Sequence, residues 1–153
     1  MVPAERYKKM QEKFQLPHLT ELRQTFKIEI DENGEIIDQI RNEISDHLFT
    51  FTERIIEPII SGSEALCCLY EQGMLTKEEK QRLFELYRQI QSLKWENNLL
   101  LIRHDDKATA KWIRKTWDFW NEDLEKDMTK LCKKLSASWK DLRFKKERTS
   151  YHG

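Results

Sequence analysis

NLLLIRHDDKATAKWIRKTWDFW, residues 98–120, decides how the second half of this chain folds. Leu99, Leu100, Leu101 and Ile102 run into the charged quartet Arg103-His104-Asp105-Asp106, and Trp112, Trp117, Phe119 and Trp120 follow. Nothing from Arg103 to Lys107 is a glycine or a proline, so a single rod of about 70 residues is one way to read the region. Two adjacent aspartates favour a tight turn, because an aspartate carboxylate at the N-cap accepts from the unpaired amides of a first helical turn. The expectation is a helical hairpin bent at His104-Asp105-Asp106.

Both arms of that hairpin carry a helical apolar period. Upstream, Thr76-Lys77-Glu78-Glu79 is a capping box. It opens a helix with Leu83, Leu86, Tyr87, Ile90, Leu93, Leu101 and His104 on one stripe. Downstream, Ile113, Trp117, Trp120, Leu124, Met128, Leu131, Leu135, Trp139 and Leu142 recur in mostly 3-4-4 steps, an average of about 3.6. That average predicts a nearly straight helix reaching about residue 145, ~60 Å long, beside an arm of ~40 Å.

The first half reads as one further long helix with short additions. Ile37, Ile40, Ile44, Leu48, Phe51, Ile55 and Ile59 place a helix over residues 35–60, which Pro58 should kink or end. Tyr7, Met10 and Phe14 give a helix beginning near Pro3; Leu19, Leu22 and Phe26 give another after the break at Pro17. FKIEIDENG, residues 26–34, alternates like a strand but has no mate and is read as a loop or extended arm. Ser63 is the expected N-cap of a short helix that Gly73 ends as a C′ glycine. The fold class is therefore all-α, an up-and-down helical bundle of three long helices with short N-terminal and connecting helices. A single domain is expected over residues 1–146, with a disordered tail over residues 147–153.

Composition agrees with this. Only four glycines and three prolines punctuate a chain that is 35% charged, the mark of long amphipathic helices. No apolar run approaches the roughly 20 residues of a membrane span, and the N-terminus has no secretory h-region. Cys67, Cys68 and Cys132 are odd in number and form no CxxC pair, so reduced thiols and a cytoplasmic location are expected.

Certain apolar residues exceed what one helical seam can use. Phe84, Trp95, Leu99 and Ile102 fall well outside the upstream stripe, most of them in its last third, and Trp112 and Phe119 lie about a quarter-turn off the downstream seam. Left bare, Trp95, Leu99, Ile102, Trp112 and Phe119 would expose several hundred Å2, more than a soluble monomer usually shows. Either the N-terminal pieces or the Leu66–Tyr70 segment covers them, or a second subunit does. Asn97 sits in the centre of the upstream stripe, where it either specifies a helix interface or bonds a local carbonyl or His104.

Chemistry is harder to find. Glu35-x-x-Asp38 and Glu43-x-x-Asp46 look like the Mg2+-holding pairs of all-α nucleotide pyrophosphohydrolases, but both lie on one helix and on its polar side. Glu43 and His47 stand four residues apart, yet a di-iron bundle needs Glu-x-x-His, which is absent. There is no nucleophile elbow, P-loop or dinucleotide fingerprint, so no catalytic residue, cofactor or metal is assigned.

Charge points to a partner. Net charge is zero, but residues 1–60 carry 8 basic and 12 acidic side chains whereas residues 106–153 carry 13 and 8. Lys126, Lys130, Lys133, Lys134, Lys140 and Arg143 lie in the basic end and are candidate phosphate contacts by counterion release. The expected role is a non-enzymatic interaction protein, a homodimer or a small subunit of a larger assembly, with no membrane contact. Its interface would combine the apolar flank Trp95, Leu99, Ile102, Trp112 and Phe119 near the turn at residues 102–112 with the charged outer face of the last helix. An accessory nucleic-acid-binding protein using residues 126–148 is the alternative.

Overall fold

The computed structural model of the chain describes residues 3–62 and 64–141. The expectations placed on Ser63, Leu142, Arg143 and the tail at residues 147–153 lie outside the described residues. Those described are helical or irregular, with no strand among them. In chain order the helices are α1 (Pro3–Phe14), α2 (Leu19–Phe26), α3 (Ile36–Phe51), α4 (Glu57–Ile60), α5 (Leu66–Met74), α6 (Lys77–Ile102), α7 (Asp106–Phe119) and α8 (Glu125–Lys140). Single π-helical turns, Thr52–Ile56 and Trp120–Leu124, join α3 to α4 and α7 to α8, so three long rods make up the bundle.

The turn between the last two rods is where the aspartates place it. Arg103 leaves the helix with an extended backbone, and the Asp105 carboxylate accepts from the amides of Lys107 (3.0 Å) and Ala108 (3.4 Å). At the other end of α6 the capping box is complete: Glu79 N donates to Thr76 Oγ1 and Thr76 N to Glu79 Oε1. Ion pairs tie the antiparallel arms together, Glu96 to Lys115 near the turn, Arg82 to Asp123 and Asp127 further away, and Glu79 to Lys134 beyond them. On the opposite side α6 runs antiparallel to the first rod, with Asn97 beside Ser45 and Tyr87 beside Glu57.

The buried seam of α6 is Leu83, Leu86, Ile90, Leu93, Asn97 and Leu100. Its steps alternate strictly between three and four, a heptad rather than a 3.6 period. The expected stripe drifts off it: Leu101 and His104 are exposed, and Leu100 takes the core position. In the last rod Ile113, Thr116, Trp120, Leu124, Met128 and Leu131 are buried. Those positions are the same alternation with one residue added after Trp120, and the added residue sits in the π-helical turn. The 3-4-4 average, read in the sequence as a straight helix, is therefore a heptad seam with an insertion.

The first rod repeats the device. Ile37, Arg41, Ile44, Leu48, Thr52, Ile56 and Ile59 are buried, again a heptad with one residue added, here after Leu48. Pro58 follows directly in α4. It has no N–H for the carbonyl of Arg54, and its ring would crowd that carbonyl in a regular helix, so the wider turn relieves both problems. The two insertions lie side by side, the Phe51 ring meeting the Trp120 indole edge to face at 5.9 Å.

The N-terminal helices close one side. α1 packs on α3 and α7, and α2 on α3; Leu22 and Phe26 are buried, as is Tyr7, whose hydroxyl donates to the Pro17 carbonyl. Residues 27–35 are the irregular arm expected, pinned where the Gln39 side chain bonds both backbone groups of Asp31 and where Arg6 donates to the carbonyls of Glu32 and Gly34. Gly73 does not end the short helix. α5 runs through it to Met74, because the Leu75 side chain is buried and draws the chain out toward Thr76.

Candidate interaction surface

Packing divides the five apolar residues singled out as an interface. Trp95 is 69% exposed and Ile102 78%, with Leu99 about half exposed. Trp112 and Phe119 are buried within the chain, which removes them from the expected contact surface. The reason is the width of the α7 core face. α1, α3 and α6 all pack on α7, so Thr109, Ala110, Trp112, Ile113, Thr116 and Phe119 are all inside. The Trp112 indole N–H is satisfied by the Leu93 carbonyl at 2.9 Å. Cover for that half of the flank comes from the chain itself; the α6 half is left open.

The open half extends further along α6 than the sequence reading placed it. Phe84, near the opposite end, is half exposed and stacks on Tyr87. At 100° per residue, Phe84, Trp95 and Ile102 project within about 20° of one another, and Leu99 lies about 60° from Phe84. One outer face of α6 thus carries a large apolar residue near each end and an indole between them.

Beneath that face lies a polar contact that the apolar pattern hid. Arg41 occupies a core position of α3 and is 4% exposed. Its Nη1 donates to Asn97 Oδ1 at 2.6 Å, and Asn97 Nδ2 donates to Ser45 Oγ at 3.0 Å. Asn97 therefore joins α6 to α3 rather than bonding a local carbonyl or His104. Burial draws the Arg41 guanidinium below its ordinary pKa, against the opposing pull of Asp38 and Asp46. The signal was present in the sequence, since Arg41 stands between Ile37 and Ile44 in heptad register.

His47 is held by rings. Phe26 lies 5.3 Å from it and Trp120 5.6 Å. Burial lowers its pKa, and Lys27 adds to the shift. A cleft of about 580 Å3 opens beside it, lined by Lys27, Glu43, Asp46, Phe51, Arg54 and others. Glu35, Asp38 and Glu53 lie along the partly or wholly exposed side of this rod. Among the described residues no three His, Cys, Asp or Glu side chains gather as a metal site.

The candidate phosphate contacts also divide. Lys126, Lys130, Lys133 and Lys140 are exposed on one side of α8. Lys134 is turned inward to Glu79, whose carboxyl it holds below the usual range with help from Thr76. Trp139, expected on the core seam, is 38% exposed; its ring lies tilted against Tyr70 of α5, centroids 4.3 Å apart, and its indole N–H donates to Glu71. Of the three cysteines, Cys68 is buried and Cys67 and Cys132 are exposed. Among the described residues no helix is long and apolar enough to cross a membrane. Comparison with protein-family models, with curated proteins and with solved structures finds no match to this chain.

Proposed function

We propose that this protein works by contact rather than chemistry. It is a non-enzymatic helical interaction protein, a homodimer or a small subunit of a larger assembly, that docks through the outer face of α6. The observation that carries the reading is the exposure of Trp95 and Ile102 on one face, while the other side of the same helix is packed on two neighbouring rods. Exposed indole and branched aliphatic side chains grouped on a rigid helix are the usual anchors of a helix-mediated interface. Light scattering of the purified chain tests it. A mass above that of one chain, reduced by Trp95→Glu without loss of helicity, supports the reading. A single-chain mass at every concentration, with Trp95→Glu leaving co-purifying proteins unchanged, overturns it.

A second reading rests on α8. Lys126, Lys130, Lys133 and Lys140 share an exposed side, an arrangement suited to tracking phosphates, and such binding weakens steeply as salt rises. Binding of a nucleic-acid duplex or single strand that ignores Lys130→Glu plus Lys133→Glu rejects these contacts.

A further inference from the structure

We infer that the occupant of the α6 face is α6 of a second copy of this chain, lying antiparallel across a two-fold axis near residue 93. This rests on the contact reading above and names its partner. The face carries its own heptad: Phe84, Arg88, Gln91, Trp95, Asn98 and Ile102 step by four and three in alternation, a second seam on the same helix beside the buried one.

Charge selects the direction. The seam is basic before Phe84, where Lys77 and Lys80 are exposed, and it ends beyond Ile102 at the exposed acidic pair Asp105-Asp106. A parallel pair would set Lys80 against Lys80, Arg88 against Arg88 and the aspartates against each other. An antiparallel pair centred on residue 93 sets Phe84 on Ile102, Gln91 on Trp95 and Arg88 on Asn98, and brings Lys80 toward the partner's turn at Asp105-Asp106. The like-charge meetings of Lys80, Arg88 and the aspartates are removed and the two ends attract. The α6 N-terminus, the positive end of its dipole, also comes to rest near the partner's aspartates.

The area is sufficient. Phe84, Trp95, Leu99 and Ile102 leave on the order of 500 Å2 of apolar surface open per copy. A symmetric pair therefore covers about 1,000 Å2, the lower bound of a specific interface. A two-fold axis makes the patch its own complement, so no further partner is needed to close it.

Cross-linking of the full chain separates the inference from the reading beneath it. In a Cys67→Ser, Cys132→Ser background, Phe84→Cys combined with Ile102→Cys forms a covalent dimer on mild oxidation, and neither change alone does so. The two positions are about 27 Å apart on one helix, so the bond cannot close within a chain. In solution Lys80→Glu weakens the dimer at least tenfold, and adding Asp106→Lys restores it to within threefold. Cross-linking through Phe84→Cys alone, or a charge reversal without effect, overturns the antiparallel pair while leaving α6 as the contact face. A chain that stays monomeric overturns the antiparallel pair, and a dimer that survives Trp95→Glu overturns both.

Discussion

Arg41 of α3 and Asn97 of α6 form a buried hydrogen bond of 2.6 Å that joins two of the three rods at their heptad seams. Asn97→Ala leaves the guanidinium without that partner and costs about 2–3 kcal/mol, as expected for a charged donor stranded in a core. Replacing both residues by apolar ones, Arg41→Met with Asn97→Leu, costs less than the sum of the two single changes. Urea denaturation of the four proteins in this cycle checks it. Strictly additive losses would mean that the two side chains do not interact.

The two tryptophans flanking the bend respond oppositely. Trp112→Ala empties a core position and breaks the bond to Leu93, costing about 3–5 kcal/mol. Trp95→Ala touches only exposed surface and shifts chain stability by roughly 0.5 kcal/mol or less. Thermal unfolding at a dilution where only single chains are present distinguishes them; equal losses would contradict the packing described.

Glu79 serves two contacts that can be separated. Glu79→Gln keeps an acceptor for the Thr76 amide and weakens only the partly exposed pair with Lys134, a loss of about 0.5 kcal/mol. Glu79→Ala also removes half of the capping box, and Thr76→Ala costs about 1 kcal/mol from the same end of α6. Chemical denaturation should rank Glu79→Gln as the mildest of the three.

His47 gives the fold an acid-sensitive element. Its pKa in the folded chain lies below the ordinary 6.5, first through burial and then through Lys27. The neutral ring is therefore the form that fits. Stability from this group is complete above pH 6.5 and falls as pH drops through that value toward the lower folded one. Glu43, Asp46 and Arg54 line the same cleft. His47→Phe should show a smaller fall in melting temperature between pH 7.5 and 5.5 than the parent chain. An equal fall would place the acid sensitivity elsewhere.

Local chemistry was the most legible part of the sequence. Capping residues act within a turn of themselves, so Thr76 and Glu79 could be read directly and the cap at the bend narrowed to Asp105 or Asp106, and the helical class followed from apolar spacing. What escaped was set between elements. Trp112 and Phe119 looked surplus because one seam cannot use them; α7 buries them because α1, α3 and α6 converge on it. Arg41 has a place in the core only because Asn97 of another rod stands opposite it, itself bonded to Ser45. The single-residue insertions were invisible as such, since adding one residue to a heptad imitates the period of a straight helix.

Those paired insertions make the two wide turns the places where the chain can be shortened. Removing one residue there, Asn121 for instance, lets the wide turn tighten into ordinary helix and take up the loss. The side chains beyond it keep their faces, Asp127 toward Arg82 and Lys134 toward Glu79. A regular stretch has no such slack. Removing Thr129 from α8 would rotate every side chain beyond it by about 100° about the axis, and Lys134 would leave Glu79. A lost codon is absorbed at the wide turn; further along it would act like the slip of a gear tooth, leaving helix content nearly intact and the meshing of the rod wrong.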